Sequence, residues 1–183
     1  MELNSALEQL GLLQKKLYAY QTASSSLYLD SVTVAPKDTS EGRGVALGIL
    51  AGESQKLMTA PETGELLEFL ADQKENLSFV EQRQVEELKR SYDRLSGIPA
   101  DEYMDYAMLT NEASDVWHRA KETSDFALFA PVLEKLVAYN RKFAGYYDSS
   151  KKPYDALLDE YERGADMAFL DTFFETVRER LVP

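Results

Sequence analysis

No cysteine occurs among the 183 residues, and histidine and tryptophan occur once each, as His118 and Trp117. Without cysteine there are no disulfides and no thiolate zinc sites, which accords with a reducing compartment, so the chain is read as cytoplasmic. A single histidine leaves no place for the helical zinc signature HExxH, which sets two imidazoles four residues apart on one helix face. No apolar run approaches the roughly 20 residues that cross a bilayer. The stretch Met1 to Gly11 carries Glu2 and Glu8 where a secretory signal needs a basic and then an apolar region. Basic residues are also scarce, 20 Lys and Arg against 32 Asp and Glu, a net charge of −12. A surface of that sign repels phosphate backbones and anionic lipid, which argues against nucleic-acid and membrane partners.

What is present is helical periodicity. Apolar residues make up 44% of the chain, enough at this length for one soluble helical domain, here expected to span 1–183. Leu3, Leu7, Leu10, Leu13, Leu17 and Tyr20 step by three or four, so a long first helix is expected over 1–31. Val32, Thr33, Pro36 and Gly42 make 32–43 an extended loop. Small residues follow at Gly44, Ala46, Gly48, Ala51 and Gly52, the signature of a helix pressed closely against a neighbour. Pro61 suits a first helical turn, and Ser78 with Glu81 forms a capping box. Gly97 and Pro99 separate two further helices. The stripe Tyr103, Tyr106, Trp117 and Phe126 is assigned to the core. Pro131 implies a separate turn over 125–130 before the next helix. Gly164 ends a short helix, and Asp166 caps the last. The fold class is all-α with about seven or eight helices. The end at Arg180-Leu181-Val182-Pro183, apolar and without a polar tail, reads as a chain that was cut.

Site chemistry is sparse. The carboxylates Asp155, Asp159, Glu160 and Glu162 cluster beside Gly164, but Lys151, Lys152 and Arg163 flank them, and no calcium-loop spacing occurs. Helix-face and loop-bracing tasks are expected of them. There is no nucleophile elbow, no phosphate loop and no dinucleotide-binding glycine pattern. No catalytic residue, no metal ligand and no cofactor are therefore assigned to this chain. His118, followed by Arg119, reads as a surface or interface histidine.

Four landmarks nevertheless occur in order: LDSVTVAPKDTSEGR at 29–43, ASDVWHRAKETSDFALFAPVLEKLV at 113–137, KPYDALLDEYERG at 152–164, and the following FLDTFFETVRERLVP. Together they resemble the N-terminal part of the carboxypeptidase Taq family of zinc metallocarboxypeptidases. The resemblance implies the N-terminal helical part of a larger metallopeptidase fold. In that family the zinc ligands and the HExxH glutamate lie downstream, and the enzyme releases C-terminal amino acids from peptides. It further implies that the chain forms groove wall and structural support, is inert alone, and has as partners the remainder of the peptidase chain, a peptide substrate and a second copy in a homodimer. Where the family has Trp-Asp, this chain has Leu29-Asp30. Asp30, Thr33, Pro36 and Arg43 match the pattern and are expected to brace the loop, Asp30 by accepting backbone N–H bonds and Arg43 by pairing with a carboxylate. A lesser alternative has Arg43 meeting the carboxylate of a peptide. The competing class of function is a stand-alone helical module that binds another protein.

Overall fold

The computed structural model describes residues 1–36 and 39–182. Lys37 and Asp38, in the expected loop, and Pro183, at the chain end, lie outside them. The described residues form helices α1 (Leu3–Thr33), α2 (Ser40–Met58), α3 (Pro61–Asp72), α4 (Phe79–Leu95), α5 (Ala100–Thr123), α6 (Phe126–Tyr147), α7 (Pro153–Tyr161) and α8 (Met167–Leu181), with one 3₁₀ turn at Lys74–Asn76. No strand occurs among the described residues, so the fold is all-α, as the apolar periodicity implies. None of these helices is long and apolar enough to cross a membrane.

The chain divides into two compact units, Met1–Leu136 and Val137–Pro183, where a single domain is the sequence-based expectation. In the first unit α1, α3 and α4 close a core around Ala6, Leu10, Leu13, Leu66, Leu67, Leu70, Leu77 and Val85, with Leu17, Leu57 and Leu88 packed at its edge. The leucine stripe of the first half of α1 is therefore the wall of this core. α2 packs on α5 more extensively than any other helix pair and also lies along α1. Its buried face is Gly44, Gly48, Gly52, Gln55 and Met58. At Gly48 a side-chain carbon would fall 2.6 Å from Met108 Cγ on α5, so any larger residue there would force the Met108 side chain to shift. Gln55, buried among these residues, donates from Nε2 to the Ile98 carbonyl at 2.7 Å and so fixes the turn that leads into α5.

In the second unit α7 packs on α8. Phe143 is buried, with Tyr139, Tyr146 and Tyr147 around its ring at centroid distances of 5.8, 6.3 and 6.4 Å. α8 is capped by Asp166, which accepts from the Phe169 N–H at 2.8 Å, yet it contains no buried residue.

Three sequence expectations change. The first helix continues through Val32 and Thr33, and the second begins at Ser40, so the connection is shorter than 32–43. The cause is local: the Thr33 hydroxyl donates to the Leu29 carbonyl at 2.6 Å, and the Val34 and Ala35 N–H groups both close onto the Asp30 carbonyl. Pro131 lies inside α6 instead of opening it. One and a half turns in, it removes a single hydrogen bond, to the Ala127 carbonyl, and the helix continues past it. Trp117 is 41% exposed and Phe126 66% exposed, while Tyr103 and Tyr106 are half-buried, so only the first part of the aromatic stripe turns inward where core was expected throughout. On α5 the inward positions are taken by the smaller Ala113, Val116 and Ala120.

Candidate functional site

A polar cluster joins the start of α2 to the middle of α5. Arg43, one turn into α2, donates from Nε to Asn111 Oδ1 at 3.0 Å and from Nη2 to Asp115 Oδ2 at 3.3 Å. The Arg43 side chain is 9% exposed and that of Asp115 38%. The Ser40 hydroxyl also donates to Asp115 Oδ2, and Asn111 returns a bond from Nδ2 to the Ser40 carbonyl at 3.2 Å. Asn111 and Asp115 stand four apart on α5, which sets both on one face. A side-chain carbon at position 44 would lie 3.1 Å from Asn111 Nδ2, so Gly44 leaves room for the Asn111 amide where it bonds to α2.

Beside this cluster runs a cleft of about 440 Å³. Its walls are Gln21, Ser24, Ser25, Tyr28 and Ser31 of α1 and Thr110, Asn111, Ser114 and Asp115 of α5, with Leu47 and Ala51 of α2 at its base. Hydroxyl and amide groups thus punctuate a mainly apolar lining, to which Leu47, Ala51 and Ala107 contribute, around a space of ligand size. The fixed charges at its edge, Arg43 and Asp115, are paired with each other.

The four residues singled out from the sequence do not converge on one point. Asp30 is exposed and contributes its backbone carbonyl, which accepts from Val34 and Ala35; the expected task had been given to its side chain. Thr33 folds its hydroxyl back on α1. Pro36 accepts at its carbonyl from the Thr39 N–H at 3.2 Å and the Thr39 hydroxyl at 2.7 Å. Arg43 alone reaches another element, and Thr39 Oγ1 takes a third guanidinium bond at 3.4 Å. Asn111 and Asp115, its partners on α5, carry no sequence signal: nothing in a single chain ties position 43 to positions about 70 residues on.

Two carboxylates of the acidic run at 155–162 hold backbone. Asp155 Oδ1 accepts from the Met167 N–H and Asp159 Oδ1 from the Gly164 N–H, each at 2.9 Å. His118 is exposed and stacks edge-on against Trp117 at 4.8 Å, while Lys121 Nζ sits 4.7 Å from the same indole. Among the described residues no group of three His, Cys, Asp or Glu side chains could hold a metal ion. With one histidine and no cysteine in the chain, these residues do not fit a zinc site.

A family model described as carboxypeptidase Taq (M32) metallopeptidase matches residues 9–183. The chain belongs to the carboxypeptidase Taq family. Carboxypeptidase 1 of Bacillus subtilis (strain 168) is 34% identical over 183 residues, which is 100% of this chain and 36% of that protein. Thermostable carboxypeptidase 1 of Pyrococcus furiosus is 32% identical over 180 residues, 98% of this chain and 36% of that protein. The crystal structure of BsuCP superposes with a TM-score of 0.91 at 35% identity, covering 97% of this chain and 36% of the solved one. This member of the carboxypeptidase Taq family therefore spans about a third of the length of the relatives it matches.

Proposed function

We propose that these residues act as the N-terminal helical region of a zinc-dependent metallocarboxypeptidase, an enzyme that releases C-terminal amino acids from peptides. In this reading the chain supplies groove wall and structural support. Zinc, its ligands and the catalytic base belong to the rest of the fold, and the rest of the peptidase is the principal partner. A peptide substrate and a second copy in a homodimer complete the partners of the full-length form, in the cytoplasm. Asp30, Thr33, Pro36 and Arg43 serve as braces, and the burial of the Arg43 guanidinium against Asp115 and Asn111 supports that task over contact with a peptide carboxylate.

The observation that carries the reading is large apolar surface left open. Tyr18, Tyr28, Leu29 and Val32 of α1, Val45 and Ile49 of α2, and Phe169, Phe173, Phe174 and Leu181 of α8 are all exposed. Scattered single apolar residues are ordinary on a surface, but a whole helix with no buried position is the mark of a face awaiting a partner. That the relatives continue for nearly twice this length again supports such a partner.

Replacement in a relative tests this. These 183 residues are substituted for the matching third of Bacillus subtilis Carboxypeptidase 1. The chimera is expected to release C-terminal residues from a peptide in a metal-dependent way, and the 183 residues alone to release none. Metal-dependent release by the chain alone would overturn the reading. So would a chimera that folds, by circular dichroism and cooperative melting, yet stays inactive.

A further inference from the structure

The cleft beside the Arg43 cluster is charged at one end only. Arg43, Leu47 and Ala51 step along its α2 wall, and Asp115, Asn111 and Ala107 along its α5 wall. Arg43 meets Asp115, while Gly48 faces Met108 and Gly52 faces Met104, so the two helices run antiparallel. Eight residues of helix rise about 12 Å. Arg43 and Asp115 therefore share one end of the cleft, and Ala51 and Ala107 mark the other. No other charged side chain lines it.

At the charged end the donors are spent. Arg43 Nε, Nη1 and Nη2 donate to Asn111, Thr39 and Asp115, and the side chain is only 9% exposed. Asn111 Nδ2 is engaged by the Ser40 carbonyl. An anion entering the cleft thus meets no open guanidinium. The acceptor side differs. Both bonds to Asp115 end on Oδ2, Oδ1 takes none from the described residues, and the side chain is 38% exposed. A carboxylate oxygen with open lone pairs accepts N⁺–H donors strongly. The net charge of −12 favours cations around the whole molecule.

We propose that the cleft binds a primary ammonium group carried on an unbranched apolar chain. The ammonium donates to Asp115 Oδ1, and the apolar chain lies along Leu47, Ala51 and Ala107. Hydroxyl oxygens of the lining are acceptors for the remaining N–H groups. A second ammonium at the uncharged end would lose hydration with no carboxylate in return, so the site takes a monocation. A lysine side chain of a peptide and a free alkyl amine share this chemistry. The proposal stands whether or not the peptidase reading holds.

Hexylammonium, hexanol and hexanoate share one apolar chain and differ in the head group. Each is titrated at pH 7 into the 183-residue chain and followed by backbone amide NMR shifts. Hexylammonium is expected to saturate on the order of 1 mM, with shifts confined to the cleft, at Leu47, Ala51, Ala107 and Ser114. Hexanoate should bind about tenfold more weakly. Asp115→Asn keeps an oxygen for Ser40 and Arg43; it should weaken hexylammonium about tenfold and leave hexanol unchanged. Nα-acetyl-lysine methylamide separates the two sources. Saturation by it at the same residues assigns a lysine side chain, and saturation by hexylammonium alone assigns a free amine. Equal binding of the three heads, shifts spread beyond the cleft, or an unchanged hexylammonium affinity in Asp115→Asn would overturn the proposal. Should that variant fail to fold, the order of the three probes on the unaltered protein decides.

Discussion

A methyl group at Gly48 and one at Gly52 meet different surroundings although the two positions share a face of α2. At Gly48 the added carbon lies 2.6 Å from Met108 Cγ and 3.1 Å from its sulfur; at Gly52 the nearest atom is Met104 Cβ, 3.8 Å away. Replacing a mid-helix glycine by alanine gains roughly 0.5–1 kcal/mol in helix propensity. At Gly52 nothing offsets that gain, so Gly52→Ala should raise the denaturation midpoint. At Gly48 overpacking costs about 1–3 kcal/mol, so Gly48→Ala should lower it, and urea titrations of the two variants check the pair. The capping box of α4 makes a second residue-scale case. The Ser78 hydroxyl and N–H both donate to Glu81 Oε2, at 2.6 and 2.7 Å, and hold the Glu81 carboxyl below its ordinary value of 4.5, the hydroxyl contributing most. A carboxyl depressed in the folded state contributes stability above its unfolded value, and that contribution is lost as pH falls through the lower folded value. The stabilisation should therefore fade only below about pH 4.5. In Ser78→Ala, NMR titration should find the Glu81 value raised, with about 1 kcal/mol of stability lost with the cap.

Between elements, the join of α2 to α5 rests on a polar contact at one end and a glycine-permitted approach along its length. Arg43 is nearly buried and bonded to both Asn111 and Asp115. Arg43→Ala leaves Asn111 Oδ1 without its guanidinium donor and takes from Asp115 the charged one of the two donors bonded to its Oδ2, leaving the Ser40 hydroxyl. A loss of about 2 kcal/mol is expected by chemical denaturation. Arg43→Lys should restore little of it, since an ammonium cannot reproduce the planar fork. The helices themselves were legible because their apolar residues recur every three or four positions, as Leu3 to Leu17 do, and because Ser78 and Asp166 announce their caps. What was not legible depends on distance in the sequence or on competition for the inside. Position 43 gives no hint of positions 111 and 115. The end of α1 was misplaced because valine and threonine usually favour extended chain, whereas here Thr33 bonds back to its own helix. Trp117 looked like core because its spacing is helical, but spacing fixes a face and does not say what covers it; Ala113, Val116 and Ala120 took the inner positions.

Across the whole molecule, net charge and ligand supply point the same way. A chain with 32 acidic residues and a net charge of −12 attracts cations to its surface, but diffuse attraction differs from a site with a fixed donor set. A zinc site needs three or four nitrogen, sulfur or carboxylate donors converging on one point, and no such group exists among the described residues. Asp155 and Asp159, which come nearest to one in sequence, are each committed to a backbone N–H. The consequence can be measured by melting. A ligand present at a hundred times its dissociation constant stabilises the folded state by about 2.7 kcal/mol. For a chain of this length that raises the melting temperature by roughly 5–10 °C. Melting at pH 7 in about 100 µM zinc should therefore show no such rise if no site of micromolar affinity exists, and chelator should leave the curve where it was. In the chimera that carries a complete catalytic part, the same titration should raise the melting temperature by several degrees. Stabilisation by zinc of the 183 residues alone would show that a metal centre assembles within them, and would move the division of labour in this fold toward its N-terminal third.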